Sequence, residues 1–143
     1  IIFPNIDPGN KNIIKIIKNN LTKKMQFINN IPRKDFLSLL KNCSILIGNS
    51  SSGILEAPSF KIPVINIGNR QRGRMQANNV INTSNSFTKI YGAINFAISN
   101  KKYLKKIQKC KNPYGDGNSS NRIVKILSKL KINNSLLDKS ITY

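Results

Sequence analysis

A single carboxylate follows a serine-rich turn in this chain. Glu56 is the one glutamate among 143 residues, and it lies just behind the run Gly48-Asn49-Ser50-Ser51-Ser52-Gly53. Backbone N–H groups at a helix start attract anions, above all phosphate. Helical side chains lean toward the N-terminus, so Glu56 points back over the same place. A carboxylate repels phosphate and suits neutral hydroxyls such as those of a ribose, so the pattern indicates a nucleotide site. A serine cap followed by a first-turn glutamate would leave the same pattern.

A second group of candidate residues is the loop Gly68-Asn69-Arg70-Gln71-Arg72-Gly73-Arg74. It holds three of the five arginines in a chain that has 19 lysines. Arginine presents a planar fork that pairs with two phosphate oxygens at once, which lysine cannot do. The loop is therefore a candidate phosphate partner, and a solvated basic loop is the alternative.

Two further turns carry polar residues, but their patterns are weaker indications of a ligand site. The segment Phe3-Pro4-Asn5-Ile6-Asp7-Pro8-Gly9 offers Asn5 and Asp7 as ligand contacts, and residues 112–120 form a Pro/Gly turn before a helix. Local cap and turn roles account for both segments without a ligand.

The elements around these groups predict an α/β fold with a parallel sheet. Short apolar runs alternate with amphipathic segments, which is the pattern of βα units. Strands are predicted at 1–3, 25–28, 44–47, 64–67 and 80–83, and helices at 10–21, 33–41, 87–98, 101–108 and 122–130. A helix of about two turns follows the serine run, and Pro58 is expected to kink or end it. Both candidate groups follow the carboxyl end of a strand, where open parallel sheets bind ligands.

The same pattern predicts one domain over residues 1–132, followed by a polar tail at 133–143 that frays. Four residues are expected to be deeply buried in the sheet: Ile45, Ile47, Val64 and Ile65.

The amino-acid composition bears on whether the chain binds nucleic acid. The formal net charge of +19 would usually suggest nucleic acid. Here the excess is lysine, accompanied by 22 asparagines and abundant isoleucine, which share A/T-rich codons. The lysines also lack interleaved aromatic residues for base stacking, so nucleic-acid binding is a minor alternative.

Other features bear on location and chemistry. No apolar run approaches the ~20 residues of a membrane span, and no signal-peptide pattern opens the chain, so we expect a cytoplasmic protein without a membrane partner. Cys43 and Cys110 match no metal spacing, so no metal site is predicted. Histidine is absent, which excludes a histidine base in this chain.

Taken in order, these four segments resemble the hydrolysing arm of the UDP-N-acetylglucosamine 2-epimerases. The likeness runs from Phe3 to about Leu130, and the turn Tyr114-Gly115-Asp116-Gly117 is common to both arms of that family. The resemblance implies the C-terminal domain of a GT-B type fold, in which two Rossmann-like domains face each other across a cleft. We therefore expect this chain, which starts at Ile1, to be part of a longer protein.

The resemblance also implies residue roles. Ser50 and Ser51 would contact the diphosphate of a UDP-sugar, Glu56 the ribose hydroxyls, and Arg70 the phosphates. Asn5 would line the site, and the backbone near Ile31 would meet the uracil. No catalytic residue is expected in this chain, because the family's acidic and histidine catalytic groups lie in the N-terminal half.

The implied reaction converts UDP-N-acetylglucosamine and water to N-acetylmannosamine and UDP, as in sialic-acid-type nonulosonate biosynthesis, without a cofactor. UDP is lost to give a glycal, to which water adds, and the chain alone is expected to be inactive. The implied partners are the missing N-terminal domain and, in the whole protein, further copies of itself. The alternatives are a non-hydrolysing epimerase, an epimerase for another UDP-sugar such as a diacetamido-trideoxyhexose, and a basic interaction module that binds RNA.

Overall fold

Three short strands form one parallel sheet with helices on both faces. A computed structural model describes residues 1–137. In chain order the elements are α1 (Asn10–Asn19), α2 (Arg33–Asn42), β1 (Leu46–Gly48), α3 (Ser52–Leu55), α4 (Ala57–Phe60), β2 (Val64–Ile67), β3 (Val80–Thr83), α5 (Phe87–Ser99), α6 (Lys101–Ile107), α7 (Ser119–Leu127) and α8 (Asn134–Leu137). The sheet order is β1-β2-β3, so the predicted open α/β architecture is confirmed.

The central strand β2 carries the core on its two faces. Val64 pairs in register with Leu46 of β1 and Val80 of β3, and it is 3% exposed. With Leu40, Ala57 and Ile62 it forms an apolar cluster under α2 and α4. The next residue, Ile65, is fully buried on the opposite face, where α5 packs against β2 and β3.

Two predicted strands, at 1–3 and 25–28, are not formed. The segments meet in one parallel bridge between Ile2 and Ile28. The Phe3 N–H donates to the Ile28 carbonyl, and the Ile28 N–H to the Ile1 carbonyl, each at 2.9 Å. The pairing is limited to this one bridge. The predictions of strands at 64–67 and 80–83 agree with β2 and β3.

Two of the four predicted core positions are also wrong. Ile45 is half-buried and Ile47 is 44% exposed, whereas Val64 and Ile65 are buried as predicted. Side chains alternate along a strand, so Ile45 and Ile47 face the side opposite to Leu46, which packs on the core. On that side α5 covers β2 and β3, while Ile47 borders an open cleft.

The helix after the serine turn is interrupted as the sequence predicts. It consists of two single turns, α3 and α4, with Glu56 between them and Pro58 in the first turn of α4. Proline lacks the N–H that would bond back across this junction. Glu56 therefore sits at a break in the helix.

The C-terminal helices close over the amino ends of β2 and β3. Asn79 is fully buried and donates from Nδ2 to the Ile62 carbonyl at 2.9 Å. The Tyr103 hydroxyl of α6 donates to the Asn79 carbonyl at 2.7 Å. Burial, together with the nearby Cys110, raises the pKa of Tyr103 to about 12.

The predicted polar tail lies only partly within the described residues. Residues Asn134–Leu137 form one helical turn, and residues 138–143 of the predicted polar tail lie outside the described residues. Among the described residues, none of the helices has both the length and the apolar character needed to cross a membrane.

One backbone position offers a stability test. Lys61 ends α4 in the left-handed conformation, with φ of 58°. A Cβ atom makes this conformation costly, so we expect Lys61→Gly to raise the free energy of unfolding by up to about 1 kcal/mol in urea titrations. The matched control is Lys105→Gly within α6, which is expected to lower it by about 1 kcal/mol. A loss of stability in Lys61→Gly would contradict the left-handed backbone at this position.

Candidate functional site

Three loops meet beyond the carboxyl ends of the strands, and Arg70 lies where they meet. Its Nη1 donates to the Asn49 carbonyl at 3.5 Å, and its Nη2 lies 3.8 Å from Asp7 Oδ2. Asn49 follows β1, Arg70 follows β2, and Asp7 belongs to the turn after the Ile2 bridge. The side chains of Arg70 and Asp7 are 45% and 68% exposed, so this pair contributes little stability and leaves both groups accessible.

A cleft of about 740 Å³ opens between the N-terminal segment and β1. Apolar side chains form one part of its wall, among them Ile13, Ile17, Phe36 and Ile47. Polar groups form another part, and four predicted site residues line the cleft: Asn5, Ile31, Ser50 and Arg70. The volume lies within the range of small-molecule sites. These four predicted positions, far apart in sequence, therefore surround one cavity.

Ser51 and Glu56, the other two predicted residues, lie outside that lining. Ser51 precedes α3 and makes no side-chain cap bond. The Ser50 hydroxyl instead accepts a bond from the Ser52 N–H at 3.3 Å, which is the local turn role that the sequence left open. Because α3 spans four residues, its dipole is small, and the predicted attraction of phosphate by a helix start is weaker than expected.

Gly53, the last residue of the serine-rich run, is buried against the sheet. A Cβ atom built there would lie 2.7 Å from Val64 Cγ1, closer than side-chain contacts allow. Gly53 therefore allows α3 to pack closely on β2.

Glu56 has one oxygen in an ion pair and one without a partner. Oε1 lies 3.4 Å from Arg33 Nη1, at the start of α2, and the Arg33 side chain is 74% exposed. Oε2 is buried and has no hydrogen-bond partner within residues 1–137. Such a group loses its water without compensation, so it is suited to a ligand that brings a hydroxyl donor.

Two functional candidates were not found from the sequence. Arg33 was expected only as the start of a helix, and its pairing with Glu56 depends on the docking of α2 beside α4. Gln71 lies between two exposed arginines, yet it is only 2% exposed. Its Nε2 donates to the Asn49 carbonyl at 2.8 Å, and no sequence pattern distinguishes this glutamine from a solvated one.

The turn at residues 112–117 braces the interrupted helix. Asn112 Nδ2 donates at 2.8 Å to the Leu55 carbonyl and to the Ser59 hydroxyl, one on each side of Glu56. Asp116 pairs with Arg122 of α7 and accepts a bond from the Asn118 N–H at 3.0 Å. The turn therefore has the structural role expected from its local pattern. Over the described part of the chain, no three potential metal-ligating side chains come together.

Known proteins match most of this chain. The family model of UDP-N-acetylglucosamine 2-epimerase matches residues 1–128. The UDP-N,N′-diacetylbacillosamine 2-epimerase (hydrolyzing) of Legionella pneumophila is 33% identical over 141 residues, which is 98% of this chain and 36% of the relative. Polysialic acid biosynthesis protein P7 of Escherichia coli is 35% identical over 127 residues, 88% of this chain and 32% of that protein.

Solved structures show the same fold. The UDP-GlcNAc 2-epimerase of Neisseria meningitidis bound to UDP-GlcNAc superposes with a TM-score of 0.67 at 23% identity, over 89% of this chain and 35% of that one. The fold is thus a Rossmann-like domain of the GT-B type, as the sequence predicted.

The class of protein follows from these matches. The chain belongs to the UDP-N-acetylglucosamine 2-epimerase family, and the predicted resemblance to its hydrolysing arm is confirmed by the Legionella relative. The chain spans about a third of the length of the curated relatives it matches.

The pairing of Asp116 gives a test of the turn. The side-chain bond from Arg122, with the Asn118 N–H, lowers the pKa of Asp116 from 3.8 to about 2. Because the folded pKa is the lower one, the stabilisation is complete above pH 3.8 and is lost as the pH falls toward 2. We expect Arg122→Gln to return the pKa of Asp116 toward 3.8 in a carboxyl ¹³C titration. Arg33→Gln is the control and leaves that titration unchanged; a wild-type pKa near 3.8 would contradict the pairing.

Proposed function

We propose that this chain is the UDP-binding part of a hydrolysing UDP-sugar 2-epimerase. The observation that carries the proposal is the buried Oε2 of Glu56, which has no hydrogen-bond partner within residues 1–137, beside the serine turn and in a chain of this family. A buried carboxylate oxygen without a donor is costly unless a ligand supplies one. The vicinal hydroxyls of a ribose are such donors.

We assign different parts of the UDP group to different loops. Ser50, Ser51 and Arg70 bind the diphosphate, with Arg70 supplying the charge. We assign the uracil to Asn5 and the backbone near Ile31, and this assignment is supported by their lining the same cleft as Ser50 and Arg70. Because Arg70 is held loosely, at 3.5 Å from Asn49 and 3.8 Å from Asp7, it can turn to phosphate oxygens without losing a buried contact.

The proposed reaction begins with loss of UDP across C1–C2 of the sugar, followed by addition of water to the glycal. This chain stabilises the departing diphosphate through Ser50, Ser51 and Arg70. The proton at C2 requires an acid/base group, and the chain has no histidine. We assign that step to the part of the protein that faces the cleft from the opposite domain.

The sugar has two candidates. UDP-N-acetylglucosamine is the predicted substrate, and the polysialic acid relative supports a place in sialic-acid-type synthesis. The Legionella relative carries UDP-N,N′-diacetylbacillosamine in its name and supports that diacetamido sugar. The predictions of a cytoplasmic, homo-oligomeric whole protein without a cofactor stay predictions.

The ribose assignment is tested with two ligands that differ in one hydroxyl, UDP and 2′-deoxy-UDP. A hydrogen bond to a charged group contributes about 1.5–3 kcal/mol, so wild-type chain is expected to bind UDP roughly tenfold to a hundredfold tighter in calorimetry. Glu56→Ala is expected to bring that ratio close to one. The ratio is more informative than the affinity of either ligand, because removing a carboxylate also relieves repulsion of the diphosphate.

The matched control for this test is Asp35→Ala, which removes an exposed carboxylate from α2. This variant changes the net charge by the same amount as Glu56→Ala. The ratio of the affinities for UDP and 2′-deoxy-UDP is expected to keep its wild-type value. A Glu56→Ala variant that still discriminates between the two ligands would refute ribose recognition by Glu56.

A turnover assay tests the assignment of the C2 proton step to the opposite domain. The 143-residue chain is expected to bind UDP but to release no N-acetylmannosamine from UDP-N-acetylglucosamine, because we assign the group that takes the C2 proton to the opposite domain. Measured turnover by the chain alone would contradict this assignment.

The same protein preparation also tests the alternative that the chain is a basic interaction module that binds RNA. Salt-sensitive RNA binding that persists in Glu56→Ala and Arg70→Ala, without any UDP binding, would favour it.

A further inference from the structure

Gln71 is buried where its neighbours are not. It is 2% exposed, although Arg70 is about half exposed and Arg72 is also exposed. Its Nε2 donates to the Asn49 carbonyl at 2.8 Å, across the gap between the loop after β2 and the loop after β1. Only the amide nitrogen can donate to a carbonyl, so this contact fixes which way the side chain points.

The other end of the amide is not satisfied. Gln71 Oε1 is buried and has no hydrogen-bond partner within the described residues. Burying an acceptor without a donor is unfavourable, and an apolar side chain of similar volume would fill the space without that cost. The stability of the fold therefore does not explain why a glutamine occupies this position. The specific hydrogen bond from its Nε2 to the Asn49 carbonyl does explain it.

That bond joins the two loops to which the diphosphate contacts are assigned. Asn49 directly precedes Ser50, and Gln71 directly follows Arg70. Arg70 reaches the same Asn49 carbonyl, but at 3.5 Å, and that contact weakens when its guanidinium turns to a phosphate. The Gln71 bond is shorter and buried, so it remains while Arg70 binds.

We propose, on the basis of the function proposed above, that Gln71 is a positioning residue that holds Arg70 and Ser50 at the spacing of a diphosphate. It acts through Arg70 and the serine turn and does not itself touch the ligand. Its bond sets the separation of the two loops before the nucleotide arrives.

The test is Gln71→Met in the full chain, because methionine keeps the volume and removes the donor. Calorimetry with UDP is expected to show about tenfold weaker binding, with a melting temperature that does not fall. In an Arg70→Ala background, Gln71→Met is expected to weaken UDP binding by less than about twofold, because Gln71 then has no arginine to position. Gln71→Asn, which keeps the amide but shortens its reach, is expected to reproduce the loss and replaces Gln71→Met if that variant does not fold.

The matched control is Asn79→Leu. It removes another buried amide that donates to a loop carbonyl, that of Ile62, at the opposite ends of the strands. This variant is expected to lower the melting temperature and to leave UDP affinity unchanged. Loss of affinity in both variants would mean that Gln71 has only a general structural role.

A ligand-free measurement separates this proposal from the proposed function. Amide hydrogen exchange across residues 68–74 is expected to be faster in Gln71→Met and unchanged in Asn79→Leu. If wild-type chain binds no UDP, the UDP assignment fails, and the exchange rates alone decide whether Gln71 orders the loop. Unchanged exchange in Gln71→Met, whatever the UDP result, overturns the positioning role.

Discussion

The site depends on the parallel pairing of β2 with its two neighbours. Gly48 of β1, Asn66 of β2 and Asn82 of β3 are in register, so all three strands end at one edge of the sheet. Antiparallel neighbours would send alternate loops to opposite edges. Because the edge is shared, Asn49 and Arg70 are separated by 21 positions in the chain and still meet through one carbonyl. The burial of Val64 and Ile65 fixes β2 between helices on both faces, and the loops take their positions from it.

Arginine–carboxylate pairs lie at the cleft and beside it, since Arg70 and Asp7 line the cleft whereas Arg33 and Glu56 do not. Arg33 faces Glu56 and Arg70 faces Asp7, each pair having at least one largely exposed partner. Exposed pairs are weak, so the groups are oriented before a ligand arrives without being held in place. The pair with Arg33 turns one oxygen of Glu56 toward α2. Among residues 1–137, three of the four acidic side chains each pair with an arginine.

The sequence predicted the parts of the fold in which local pattern and tertiary packing agree. β2 and β3 combine an apolar run with β-branched residues, and both were located to the residue. The break at Pro58 follows from the chemistry of proline. The strands at 1–3 and 25–28 have similar composition but gain a single bridge, because strand formation depends on partners that the local sequence does not specify.

Burial was harder to predict than element type. Ile47 and Ile65 look alike in sequence and are neighbours in register, yet Ile65 is buried and Ile47 is exposed. The difference comes from where α5 lies, which depends on the whole chain. Gln71 shows the converse case, in which a polar residue in a basic loop is buried by tertiary contacts. Four of the six predicted site residues line one cleft, whereas Arg33 and Gln71, whose surroundings depend on tertiary contacts, were not predicted.

The close packing of Gly53 on Val64 has a consequence for how sequences of this type can diverge. The two positions share one small volume, so a methyl group gained at 53 requires one lost at 64. Substitutions there are expected to occur in compensating pairs, and a single change would shift α3 away from the sheet. Ser50 is joined to α3 through Ser52 and would move with it. A core position thereby restricts the evolutionary paths open to a binding residue on the surface.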